Sequence, residues 1–163
     1  MKKAYSLLMN EGGSLIIYTL MVLALLTIVG LTAIRTADTE IEIAGTELKY
    51  QRNFYLAEAA AMEAVRRLDN DTTMTATTGP GWIEMTPGAL NGSTADSYWA
   101  GSETVLSQQC TLDADARFLA AYEGLAGGSS LDVNKTKLHD ISIYGRSEKS
   151  GVAEIRIGYR KAF

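Results

Sequence analysis

Hydrophobic and polar positions follow three successive patterns along this chain: an uncharged block, a helical stripe and a period-two ending. Glu11-Gly12-Gly13-Ser14 leads into Leu15–Gly30, which has neither charge nor proline, and Leu31-Thr32-Ala33-Ile34 extends the run to Arg35. About 20 residues at ~1.5 Å rise cover the ~30 Å hydrocarbon core of a bilayer, so the block predicts a membrane-spanning helix. Past Arg35 the period becomes helical. Ile34, Ile41, Leu48, Tyr55 and Met62 recur every seven residues, and Phe54, Ala57, Ala61, Val65 and Leu68 every three or four. No proline separates Gly13 from Asp69, and Gly30 and Gly45 cost only about 1 kcal/mol each. Two arrangements fit: one helix of about 55 residues, roughly 85 Å long, or a membrane helix followed by a separate juxtamembrane one.

The stripe Phe54, Ala57, Ala61, Val65, Leu68 needs a partner surface, and Ala57, Ala59, Ala60, Ala61 and Ala64 permit close approach. Around it Glu58, Glu63, Arg66 and Arg67 are expected in solvent, with Glu63 and Arg67 a weak i,i+4 pair of a few tenths of a kcal/mol. Asp69-Asn70-Asp71-Thr72 ends the helix.

The partner surface is expected at the other end of the chain. Leu138–Gly145 and Val152–Tyr159 alternate with period two around Glu148-Lys149-Ser150-Gly151, which predicts an antiparallel hairpin over residues 138–160. Ile141, Ile143, Ile155, Ile157 and Tyr159 then face the helix, and Glu154, Arg156 and Arg160 face water. Two strands alone are marginal, so a third must join, and Trp82-Ile83-Glu84-Met85 is the candidate.

The middle is less patterned. Gly79-Pro80-Gly81, Pro87-Gly88 and Asn91-Gly92-Ser93 signal turns. Trp82, Tyr98 and Trp99 read as domain core. Asp113-Ala114-Asp115 before Arg117–Tyr122 suggests a short helix with acids in its first turn, followed by a loop from Gly124 to Ser130.

Composition narrows the function. With 163 residues, the part beyond the helix suffices for one small domain. A net charge of −4 without a basic block argues against nucleic acid as a partner. Cys110 is the only cysteine, which excludes an intramolecular disulfide and a paired-thiol metal site; its expected place is the interior. Asp113 and Asp115 lack the glycine and distal glutamate of an EF-hand, so no metal is expected. His139, the single histidine, starts a strand beside Asp140, and neighbours on a strand point to opposite faces. It reads as a solvated strand-edge side chain. No nucleophile motif or phosphate loop appears, so neither catalytic residues nor cofactors are expected. Asn70-Asp71-Thr72, Asn91-Gly92-Ser93 and Asn134-Lys135-Thr136 match the glycosylation pattern, a short motif of little weight in a chain this rich in Ser and Thr.

Lys2 and Lys3 precede the apolar run, whereas Asp38, Glu40, Glu42 and Glu47 follow it. The positive-inside rule places the N-terminus in the cytoplasm and the C-terminal bulk outside. The apolar run exceeds the 7–15 residues usual in a cleaved secretory signal.

A short basic leader, Gly12-Gly13-Ser14-Leu15-Ile16-Ile17 and an uninterrupted membrane helix resemble the class III signal of type IV pilins. Met21–Thr32, Glu40-Ile41-Glu42-Ile43-Ala44-Gly45-Thr46 and Phe54-Tyr55-Leu56-Ala57-Glu58-Ala59-Ala60 resemble the N-terminal region of PilX-type minor pilins. Tyr144-Gly145-Arg146-Ser147, with a final strand ending Gly158-Tyr159-Arg160, is similar to the close of such domains. The resemblance implies an α+β pilin-like fold: a long N-terminal helix, half membrane-spanning and half amphipathic, packed on a small antiparallel sheet. The implied division is a prepilin leader over 1–12, a membrane and filament-core half over 13–34, an amphipathic half over 35–70 and a globular domain over 71–163.

It further implies a cut by a prepilin peptidase between Gly12 and Gly13, or alternatively between Gly13 and Ser14. Leu15, Ile16, Ile17, Leu20, Leu23 and Leu26 would pack the filament core. Phe54, Ala57, Ala61, Val65, Leu68, Ile155 and Ile157 would join helix to sheet. The implied partners are other major and minor pilins through their N-terminal helices, the peptidase, an inner-membrane assembly platform and the lipid bilayer. The chain would sit in the inner membrane with its C-terminal domain periplasmic, and later in an extracellular pilus. One position departs from the family. Most major pilins carry a glutamate as fifth mature residue, where this chain has Ile17 (Tyr18 under the other cut). A pseudopilin of a type II secretion system and a bitopic membrane-anchored domain with an uncut leader fit the same pattern.

Overall fold

The structure, a computed structural model, describes residues 11–90, 95–100, 106–129 and 136–163. The basic leader, the turn at Asn91-Gly92-Ser93 and most of the Asn134-Lys135-Thr136 motif lie outside the described residues. The elements are α1 (Glu11–Asn70), β1 (Ile83–Glu84), α2 (Ala95–Trp99), β2 (Gln108–Gln109), β3 (Ala116–Leu125), β4 (Leu138–Ser147) and β5 (Ala153–Ala162). The chain divides into two compact units, Met1–Glu47 and Leu48–Phe163, with α1 contributing to both.

In the first unit several threonines of the helix find their partners one turn back. Thr19 donates its hydroxyl to the Ile16 carbonyl at 2.9 Å, Thr27 to Leu23 at 2.8 Å and Thr32 to Val29 at 2.8 Å. Each hydroxyl is satisfied within its own helix, which is what lets threonine sit in an apolar segment at little cost.

The second unit is α+β. β3, β4 and β5 form an antiparallel meander, β1 joins β3 in parallel and β2 pairs β3 antiparallel, so the sheet is mixed. β4 and β5 pair from Leu138↔Ala162 to Ser147↔Ala153, which is the antiparallel hairpin. On one face Phe118, Ala120, Tyr122, Ile141 and Ile143 join Ala60, Ala61, Ala64 and Leu68 of α1, with Trp82, Ile83, Met74 and Cys110 at the margin. On the other, Leu119, Ala121 and Tyr144 are covered by Leu90, Tyr98 and Trp99. The long helix thus packs on the small sheet, and a shorter segment closes the sheet's back.

Two expectations fail here for tertiary reasons. Residues 116–125 are a strand, not a short helix followed by a loop. β3 is the central strand and is buried on both faces, so its apolar residues run together instead of alternating, a pattern shared by buried helices. Asp113 serves the preceding turn instead: its carboxylate accepts from the Asp115 amide at 3.0 Å and its carbonyl from the Ala116 amide at 3.2 Å. The Trp82–Met85 candidate does join the sheet, as a strand at Ile83–Glu84 that runs parallel to β3. His139 is buried, 4% exposed, not solvated.

Candidate assembly surface and head-domain contacts

Every large apolar residue expected in a filament core is uncovered. Leu15, Ile16, Ile17, Leu20, Leu23 and Leu26 are between 60% and 71% exposed. The helix is long and apolar enough to cross a membrane, and its most apolar window is wholly unburied. An uncharged helix face of this extent is suited to lipid or to other helices around it. Gly12 and Gly13 lie in the first turn of α1.

The helix–sheet residues separate into three groups. Ala61 and Leu68 are fully buried in the shared core, and Val65, Ile155 and Ile157 pack on its edge. Ala57 is buried where α1 crosses β4, above Gly145. Phe54 is not in that core. It is 40% exposed and meets Tyr55 edge-on at 6.1 Å, because the helix turns Asn53 toward the sheet at that level. Asn53 is 3% exposed; its amide donates to the Gly151 carbonyl at 2.9 Å and its carbonyl oxygen accepts from Ser147 Oγ at 3.4 Å, fastening α1 to the β4–β5 turn. The seven-residue spacing of Leu48, Tyr55 and Met62 correctly marks one side, but that side is open: they are 69%, 64% and 53% exposed.

Glu63 is a tighter junction than a solvated i,i+4 pair. One carboxylate oxygen accepts from Arg67 Nη2 at 2.6 Å and Nε at 3.1 Å. The other accepts from the Thr111 amide at 2.8 Å, Thr111 Oγ1 at 2.9 Å and Cys110 Sγ at 3.1 Å. Burial alone would raise this carboxyl, but the Thr111 amide, the Cys110 thiol and Arg67 outweigh it and hold it at about 2. Burial pushes the Cys110 thiol up, and the adjacent Glu63 carboxylate adds to that, so the thiol stays protonated and unreactive. Arg67 also lies over the Phe118 ring, 4.9 Å from its centroid.

At the far end of α1, Lys161 donates to the carbonyls of Leu68 and Asp71, and Tyr159 donates to Asp69. A cation on the last-turn carbonyls satisfies acceptors that the helix leaves open and complements its dipole. Burial, and then Asp69, push the Tyr159 phenol up to about 12. Beside this clamp His139 stacks on Phe163 at 4.0 Å, with its Nδ1 2.8 Å from Tyr122 Oη.

On the sheet's back, Arg146 meets Asp96 at 3.2 Å and Glu154 at 3.8 Å, and lies 5.6 Å from the Trp99 ring centroid. Trp99 Nε1 donates to Glu154 at 3.0 Å. Lys149 pairs with both Asp113 and Asp115, so an ammonium group occupies the position between these two acids. Among the described residues no group of three or more His, Cys, Asp or Glu is arranged to hold a metal ion.

Residues 11–61 match the family model PilX N-terminal. This stretch of α1 is similar to the PilX N-terminal segment. It covers the uncharged half of the helix and the first positions that meet the sheet, and ends at Ala61 in the shared core. No curated protein and no solved structure matches the chain. The PilX match spans under a third of the sequence, so the reading of the chain from Met62 onward rests on its own geometry. Sequence reasoning missed Asn53, Gly145 and Lys161 as parts of the helix–sheet junction. An interior strand glycine is a usable signal for close backbone approach, whereas nothing local marks the other two.

Proposed function

We propose that this chain is a minor pilin of the type IV family, processed by a prepilin peptidase and co-assembled with other pilins. The observation that carries the reading is the coincidence of the PilX N-terminal match with a helix whose Leu15–Leu26 side chains have no cover among the described residues. Lipid would cover them in the inner membrane, and sibling helices would replace lipid in the filament. Gly12–Gly13 is the proposed cut, with residues 13–34 entering the filament core and residues 71–163 exposed on its outside. An adhesive role for the exposed loops is secondary.

The proposed place is the tip complex that starts assembly. In the family's assembly model the fifth-residue carboxylate meets the N-terminal ammonium of the adjoining subunit in an apolar surround. An unpaired charge there costs several kcal/mol after relaxation. Ile17 offers no carboxylate, so this subunit suits a site with no neighbour to neutralise.

N-terminal sequencing of the protein from membranes and from sheared filaments tests the processing. The expected mature chain begins at Gly13, and an intact Met1 in the membrane fraction overturns it. Ile17→Glu tests position: this variant should become more abundant along sheared filaments, and unchanged abundance counts against the tip.

A further inference from the structure

We draw no further inference here: the strongest candidate, the unpaired outer edge of strand β5, has an antiparallel self-complementary register about Ile157 that sets Glu154 opposite Arg160 but would turn the packed α1 segments of two copies in opposite directions, and nothing in the structure shows what else covers that edge.

Discussion

The carbonyl oxygen of Ala57 lies 2.1 Å from the point where a β-carbon on Gly145 would stand, and the Ala61 β-carbon 2.9 Å from it. Helix α1 and strand β4 therefore meet backbone to backbone, and the contact is possible only because position 145 has no side chain. The alanines of α1 and the glycine of β4 are one device seen from its two sides.

That contact makes Gly145→Ala severe. The added methyl meets backbone, which cannot rotate away, so the helix must lift off the sheet. Overpacking of this kind costs about 3 kcal/mol. Urea unfolding of the full chain in detergent, followed by near-ultraviolet circular dichroism, should show the loss. Gly158→Ala is the control: no atom lies within 4 Å of its β-carbon, and a change below about 0.5 kcal/mol is expected.

Glu63 should make the head domain acid-sensitive. Its carboxyl is held at about 2 in the fold against an ordinary 4.5, so the folded state favours the ionised form. The stabilisation is complete above the unfolded value and is lost as pH falls from about 4.5 through 2, to a total of about 2 kcal/mol after allowance for its residual exposure. Glu63→Gln should lower stability by a similar amount at pH 7 and flatten the acid limb of urea midpoints between pH 5 and 2. Asp71 and Asp113 are also held low, by Thr73 and by Lys149, so some acid dependence will remain in the variant. An unchanged slope would contradict the account.

The Tyr122–His139 pair can be separated from simple burial by a double-mutant cycle. Tyr122→Phe leaves Nδ1 of a buried ring without its partner, a loss of about 1–2 kcal/mol. His139→Leu should strand the phenol in the same way. The double variant should be less destabilised than the sum, because no polar atom of the pair then remains buried alone. Strict additivity would mean that the 2.8 Å contact contributes nothing.

Lys161→Met keeps the apolar stem and removes the ammonium that binds the Leu68 and Asp71 carbonyls. Amide exchange should accelerate in the last turn of α1, around Arg66–Asn70, with a stability loss of about 1 kcal/mol. Uniform acceleration across the sheet, with no local effect, would argue against a helix clamp.

Cys110 should resist thiol reagents in the folded chain and react on unfolding, since it is buried and its thiol is held protonated beside Glu63. Rapid labelling under native conditions would count against the Glu63 junction.

The sequence by itself determined the elements whose signal is local. The uncharged run, the helical stripe from Ala57 to Leu68, the β4–β5 hairpin and the burial of Trp82, Tyr98, Trp99 and Cys110 all follow from periodicity and composition over short windows. Tertiary structure decided what depends on distant partners. β3 is a strand because neighbours on both sides complete it, and its continuous apolar run fits a buried helix equally well. Phe54 turns outward because Asn53 finds the β4–β5 turn nearly a hundred residues away. Glu63 becomes a junction only when Cys110 and Thr111 arrive from the sheet side, and His139 is buried only once Tyr122 and Phe163 flank it. Side-chain periodicity reports which face is apolar; it carries no information about which polar group will meet that face.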